Sequence, residues 1–396
     1  MSGVSDARPD DQRPPDARPV EPRPHSGIHR VAVIGVGLMG GSLAMAAQDR
    51  AHVDSVVGYD SDPEALDLAL ARGIITEKAS TAAEAAAYAD LVVISTPVRS
   101  IPALVEECAT AQPAPRLITD MGSTKSSVMN SLSPLAKSLF IGGHPICGAA
   151  DTGVRYARAD LFANATYFLC TTGAAFPKLY EMIQEFILQL GARPTHVDAV
   201  AHDRIMAVVS HLPHVLANVL MDHTGTLKVR GKRALHCVGS SFKDLTRVAG
   251  ANPVMWGDIF IENRAALAQT IRSIAGELTE FSDLLEQADE HAILASIESA
   301  AGYREELLEY EDITPARLFK VAVRVPDQPG VVSKVMTALG NAEINIEDLT
   351  LHHFSRSVGG DLILFIEGQD VAETAASLAQ GLGYAASVAF AGETRE

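Results

Sequence analysis

The spacing of hydrophobic and polar positions changes character three times along the chain. From Val31 the apolar residues fall in short runs, Val31–Ile34, Ser55–Tyr59, Leu91–Ile94 and Arg116–Thr119, separated by helical spacing over Leu38–Ala47 and Pro63–Ala71. Short apolar strands alternating with helices predict parallel βαβ units in a doubly wound α/β sheet, here over residues 28–175. From about Phe176 to Tyr310 strand signals nearly vanish, which predicts an all-α domain over 176–314. Its cleanest stripe is Leu267, Ile271, Ile274, Leu278, Phe281 and Leu285. A repeat averaging about 3.5 residues keeps one seam facing a partner helix, so the stripe is either a dimer seam or an ordinary core face.

The last stretch, 315–396, alternates with period two: Phe319, Val321, Val323 and Val325 on one face, Lys320, Ala322 and Arg324 on the other. A turn at Pro326–Gly330, a helix through Leu339, strands near Ile344–His352 and Asp361–Ile366, a helix near Val371–Leu382 and a strand at Ala385–Phe390 follow. The order βαββαβ predicts a ferredoxin-like unit. Residues 1–27 share none of these patterns. Six of the 20 prolines lie there and an Arg-Pro pair recurs from Arg8 to Pro24. A segment with so little to bury is expected to be disordered, a solubilising tail before a PxxP-type docking ligand.

Composition narrows the function. With 49 acidic and 32 basic side chains among 396 residues the net charge is −17, the wrong sign for a general nucleic-acid binder. No run of about eighteen consecutive apolar residues predicts a membrane span, and the polar N-terminus lacks a secretory h-region. Cys108, Cys147, Cys170 and Cys237 show no metal-ligand spacing, so a cytoplasmic protein without disulfides or metal is expected. The charge is also segregated. Glu277 to Asp312 holds twelve acids against Arg304 alone, whereas Arg204 to Gly250 holds seven bases and two acids.

The chemistry-bearing residues cluster at predicted strand ends. Gly35-Val36-Gly37-Leu38-Met39-Gly40 is a GxGxxG between a strand and a helix: Gly35 for the turn, Gly37 for backbone approach to a pyrophosphate, Gly40 for close helix packing. The free N–H groups of the helix start favour phosphate. Asp60, ending the next strand, suits adenosine ribose hydroxyls and repels a 2′-phosphate, which favours NAD; its plainer role is a helix cap before Pro63. Ser95-Thr96-Pro97 and Asp120–Lys125 end two further strands, where open α/β sheets bind ligands. Ser123 or Thr124 alone would read as a cap of the following helix.

Gly142-Gly143-His144-Pro145 places a histidine on a glycine-rich loop at a strand end, suited to taking a hydroxyl proton as hydride departs. A structural histidine is the equal alternative. Ser210-His211-Leu212-Pro213-His214 sets two histidines three apart on one helical face; no third ligand cluster supports a metal. Phe242-Lys243-Asp244-Leu245-Thr246-Arg247 offers Arg247 as a fork for a carboxylate, or a surface salt bridge.

Taken together, GVGLMGGS, DMGSTK, GGHPI, VVSHLPH and GSSFKDLTRVAGANPVMWGDIFIEN resemble the prephenate dehydrogenase family of tyrosine biosynthesis, in order and spacing over roughly Arg30 to Asp312. The resemblance implies a Rossmann domain and a helical, 6-phosphogluconate-dehydrogenase-like dimerisation domain. It implies a catalytic His144 at the substrate hydroxyl, Ser123 on the same hydroxyl, and substrate positions at His214, Arg247 (on a carboxylate), Ser210 and Trp256. Residues 315–396 resemble an ACT domain, with Asp327, Gly330 and Asn345 in its effector loop and second strand; tyrosine feedback is the implied role. Arogenate is the alternative substrate. A β-hydroxyacid dehydrogenase, which typically uses a Lys base, fits GGHPI and SHLPH poorly. A non-catalytic sensor of NAD and an amino acid is the alternative from another class, against which stand Ser123, His144 and Arg247.

Overall fold

The computed structural model describes residues 26–148, 151–171, 177–312, 318–342, 344–346, 348–355 and 359–390. Apart from Ser26 and Gly27, the tail expected to be disordered lies outside the described residues. By its internal contacts the chain divides into two units, residues 1–275 and 276–396.

In the first unit, eight strands form one sheet: β1 (Arg30–Ile34), β2 (Ser55–Tyr59), β3 (Glu77–Lys78), β4 (Leu91–Ile94), β5 (Leu117–Asp120), β6 (Phe140–Pro145), β7 (Thr166–Cys170) and β8 (Arg193–His196). Their order is β3-β2-β1-β4-β5-β6-β7-β8. Strands β1 to β6 are parallel, β7 runs antiparallel to β6, and β8 parallel to β7. The central strands have no polar face because both sides are covered: Val31 and Val33 enter one apolar core, Ala32 and Ile34 the other. Winding reverses between β1 and β4, which opens a crevice at their carboxyl ends.

The sheet does not stop at residue 175, the boundary expected from sequence. Helix Pro177–Gln189 buries Met182, Ile183, Phe186 and Ile187 in the core, and β8 follows in the same sheet. The edge strand Arg-Pro-Thr-His is mostly exposed, so it carries no apolar signal.

Beyond β8 the first unit is helical. Segments Ala199–Met206, Ala207–His211 and Leu212–Thr226 form one continuous 28-residue helix whose middle turn is a π-helix. This helix is long and apolar enough to span a membrane, although its uninterrupted apolar runs are short. Its buried polar side chains, His202, Asp203, His211 and His214, find partners inside the fold instead. The hairpin β9 (Lys228–Val229) and β10 (Lys232–Arg233) and helices Ser240–Thr246 and Pro253–Glu262 follow.

Helix Arg264–Gln287 carries the apolar stripe. Leu267 is 5% exposed, whereas Leu278 and Leu285 are 62% and 58% exposed and uncovered in the single chain. In the second unit, helix Glu290–Asp312 precedes β11 (Leu318–Val325), β12 (Asp348–Ser355), β13 (Gly359–Glu367) and β14 (Ala385–Phe390). The antiparallel order β12-β13-β11-β14, with helices Val331–Asn341 and Gln369–Gly381, is the ferredoxin-like arrangement. Phe319, Val321, Val323 and Val325 face its core together, as their period-two spacing predicts.

Candidate active site

The glycine loop sits at the switch point between β1 and β4. Gly35 has φ +94°, and a Cβ there would strike the Ser95 carbonyl and Thr96 Cγ2. A Cβ on Gly40 would collide with the Gly35 carbonyl, so the helix lies hard against the loop, while one on Gly37 would meet open space. Helix Leu38–Asp49, which includes Met39, begins at Gly37 without a side-chain cap, leaving its first N–H groups for an anion. Asp60 is not the cap of helix Pro63–Ala71; Asp62 is, accepting from Glu64 N–H. Asp60 instead accepts from Val36 N–H at 2.7 Å and Asp62 N–H at 2.9 Å, bracing the loop with its carboxylate. Beyond Ser95-Thr96-Pro97, Arg99 pairs with Asp258 and Glu262 of helix Pro253–Glu262, tying the β4 loop to the helical part.

The ends of β5 and β6 are locked by a buried carboxylate. Asp120 accepts from Gly122 N–H and Gly143 N–H, each at 2.9 Å, and pairs with the fully buried Lys125 ammonium. His144 is therefore not on a loop, as expected from its glycines, but within β6, opposite Phe168 of β7. The glycines serve close packing: a Cβ on Gly143 would strike the Asp120 carbonyl and lie 2.8 Å from Thr119 Oγ1 and 3.0 Å from Tyr167 Cε1. Ser123 is half-buried in the loop after β5. Neither it nor Thr124 caps helix Ser126–Ser131. The cap comes from 77 residues away, where Asp203 accepts from Lys125 N–H and Ser126 N–H, both at 2.8 Å.

The same carboxylate leads to His144. His202 Nδ1 lies 2.9 Å from Asp203 Oδ1, and His202 Nε2 lies 2.9 Å from His144 Nδ1. Burial, reinforced by His202, Lys125 and His211 nearby, holds the His144 imidazole well below its ordinary value. Burial pushes the Asp203 carboxyl upward, but hydrogen bonds from His202, Lys125 and Ser126 outweigh it and hold it below the usual range. The chain Asp203–His202–His144 thus joins the first helical turns to the sheet.

The remaining candidates gather on the helical side. His211, lowered to about 4 chiefly by burial, meets Asn263 at 3.1 Å; Asn263 also donates to the Asp203 carbonyl at 2.7 Å. His214 stacks on Trp256 with ring centroids 3.8 Å apart, and His211 meets the same indole edge-on at 6.1 Å, so both histidines do share a face. His214 Nδ1 lies 3.2 Å from Asn218 Nδ2, while its buried Nε2 has no partner. Ser210 is half-buried on the π turn; single π turns recur at functional sites. Arg247 is exposed on the turn Arg247–Gly250; its backbone N–H donates to the Asp244 carbonyl, and its guanidinium joins no hydrogen bond or ion pair among the described residues. No cluster of three metal-ligating side chains occurs among the described residues.

The family model for the prephenate dehydrogenase nucleotide-binding domain matches residues 43–196, and that for the prephenate dehydrogenase dimerization domain matches 198–299. The prephenate dehydrogenase of Lactococcus lactis is 30% identical over 351 residues, which covers 87% of this chain and 96% of that protein. The chain belongs to the prephenate dehydrogenase family. Among solved structures, the Aquifex aeolicus prephenate dehydrogenase in complex with hydroxyphenyl propionate and NAD+ is 28% identical, with a TM-score of 0.67 over 71% of this chain and 99% of that one. Synechocystis arogenate dehydrogenase is 25% identical, with a TM-score of 0.61 over 70% and 99%. Family membership makes the chain an NAD-dependent oxidoreductase with a Rossmann-like domain followed by a helical dimerisation domain. Neither family model reaches past residue 299, so the ferredoxin-like unit stands on its own topology.

Sequence reasoning missed His202, Asp203 and Asn263. The signal was present for the first two: an adjacent His-Asp pair interrupts an apolar helical stretch, and a buried polar pair there requires partners.

Proposed function

We propose that this enzyme catalyses the NAD-dependent oxidative decarboxylation of prephenate to 4-hydroxyphenylpyruvate in tyrosine biosynthesis. The observation that supports this best is His144 at the carboxyl end of the sheet, held through Nδ1 by His202 and so keeping Nε2 for a substrate hydroxyl. When bound, NAD supplies the acceptor for the hydride on the hydroxyl-bearing ring carbon. The space above Gly37, the uncapped helix start and the Asp60 carboxylate fit such a dinucleotide, with Gly35, Leu38, Met39, Gly40 and Ser95-Thr96-Pro97 completing its bed.

His144 takes the hydroxyl proton and Ser123 hydrogen-bonds the same oxygen. Trp256 and His214, stacked on each other, line one side of the ring, and the partnerless Nε2 of His214 serves a substrate carboxylate. Arg247, exposed and with no partner for its guanidinium among the described residues, supplies the bidentate fork for the other, with Ser210 lining the pocket. Oxidation leaves a dienone whose loss of carbon dioxide restores aromaticity, so residues need only orient the ring and manage one proton.

The uncovered seam at Leu278 and Leu285 supports a homodimer through the helical domain. Residues 315–396 act as an ACT domain in which tyrosine binds near Asp327, Gly330 and Asn345; Gly330, at φ +86°, opens helix Val331–Asn341 as such a loop requires. The likeness to an arogenate dehydrogenase favours arogenate as second substrate. Offering prephenate and arogenate, each with NAD and NADP, and following nicotinamide reduction tests the proposal. The prephenate–NAD pair is expected to be fastest. A faster arogenate rate reassigns the substrate, and four null rates leave a non-catalytic sensor.

A further inference from the structure

We propose that His202 and Asp203 form a proton relay behind His144, which stores the substrate's hydroxyl proton during oxidation and returns it to the same oxygen after decarboxylation. The inference rests on the prephenate reading above and assigns positioning residues to it.

The wiring follows from acceptor capacity. Asp203, an ionised carboxylate, only accepts, and it takes Lys125 N–H, Ser126 N–H and His202 Nδ1. His202 is therefore protonated on Nδ1, and its Nε2 lone pair faces His144 Nδ1 at 2.9 Å. His144 must donate there, so its basic nitrogen is Nε2. Two successive hydrogen bonds fix a tautomer that one imidazole alone leaves open.

The surroundings decide where an added proton rests. His144 is packed near His202, His211 and the ammonium of Lys125, the last already neutralised by Asp120. His202 is fully buried and lies against the Asp203 carboxylate. A second hop thus carries positive charge into contact with an anion.

The chemistry needs no proton from solvent. In the first step the substrate O–H bond breaks, its proton passes to His144 Nε2, and the proton on His144 Nδ1 passes to His202 Nε2. The hydride leaves the ring carbon for the dinucleotide, and a carbonyl forms. In the second, the bond to the departing carboxylate breaks, its electron pair enters the ring, and the carbonyl oxygen becomes a phenolate. That oxygen recovers a proton from His144 Nε2 as His202 returns its own to Nδ1. Asp203 stays ionised throughout. Alcohol proton in, phenol proton out: the relay ends as it began.

The test uses the full chain with His202→Gln, whose carbonyl accepts from His144 Nδ1 but cannot take a proton. The expected result is a turnover reduced roughly 10- to 100-fold, with NAD binding, the Michaelis constant for prephenate and Tm near the parent values. The acid limb of turnover should move to lower pH, because the proton site beside Asp203 is gone. Imidazole should partly rescue His202→Ala. Turnover within about twofold of the parent, or a reduced turnover with an unmoved acid limb, overturns the relay. Should the variants not fold, 15N spectra of the histidine rings in the ligand-free parent decide the wiring. Protonation at Nδ1 of both His144 and His202 is expected, and His144 protonated at Nε2 overturns it. A parent enzyme inactive on both candidate substrates would defeat the prephenate reading, while these spectra would still report on the wiring.

Discussion

At the scale of single residues, the proposed site separates a base from the groups that would hold its substrate. His144→Asn retains a hydrogen-bond donor toward His202 but no basic nitrogen. Turnover is expected to drop by about 10²- to 10⁴-fold with NAD affinity unchanged, as fluorescence titration and steady-state rates would reveal; near-parent turnover would remove His144 from the chemistry. Because burial holds His144 well below its ordinary value, the neutral base persists into mildly acidic solution, and the acid limb of turnover should begin below pH 6.5. Arg247→Gln should act differently. It loses the bidentate fork and leaves the base untouched, so the Michaelis constant for prephenate should rise at least about tenfold with turnover little changed. An unaltered Michaelis constant would take Arg247 out of the substrate site.

At the scale of elements, β6 shows how glycine misleads. Two consecutive glycines before a histidine signal a loop, yet here they let β6 pass beside Asp120, Lys125 and Tyr167. Gly143→Ala should force the strand from Asp120 and destabilise the fold by about 1–3 kcal/mol, read as a Tm lower by several degrees; an unshifted Tm would show that β6 yields freely. What was legible follows the same logic. Runs buried on both faces, β1, β2 and β4, announce themselves by composition, and the period-two face of β11 does so by alternation. The edge strand β8 was silent because it buries little. The capping of helix Ser126–Ser131 was illegible for another reason. Ser123 and Thr124 are local candidates, but the acceptor is Asp203, and no short-range pattern reports a partner 77 residues away. His144 and the histidine pair of the long helix can be picked out by type and position; the pairing of His144 with His202 and of His211 with Asn263 is long-range and leaves no local pattern.

At the scale of the whole molecule, the proposed catalytic groups all lie in the first unit, and the ferredoxin-like unit has a separate core of its own. Tyrosine is expected to inhibit the full chain and to lose most of that effect on a chain ending at residue 317, whose rate without tyrosine should stay near the parent. Equal inhibition of both would move the effector to the substrate site. The net charge of −17 also resolves at this scale. Twelve acids lie in Glu277 to Asp312 and seven bases in the segment carrying Arg247, so the dianion proposed as substrate would meet a locally cationic segment on a globally acidic protein.

The Asp60 brace has a practical consequence for redesign. Switching the enzyme to a 2′-phosphorylated cofactor would ordinarily begin by replacing this acid with a small neutral residue. Here that exchange also deletes the acceptor for Val36 N–H, a bond that shapes the phosphate loop. On the proposed reading of Asp60, a successful switch must keep an oxygen pointed at that amide, as Asn would, while adding a cation nearby, so that cofactor preference and loop geometry would be inherited as one trait.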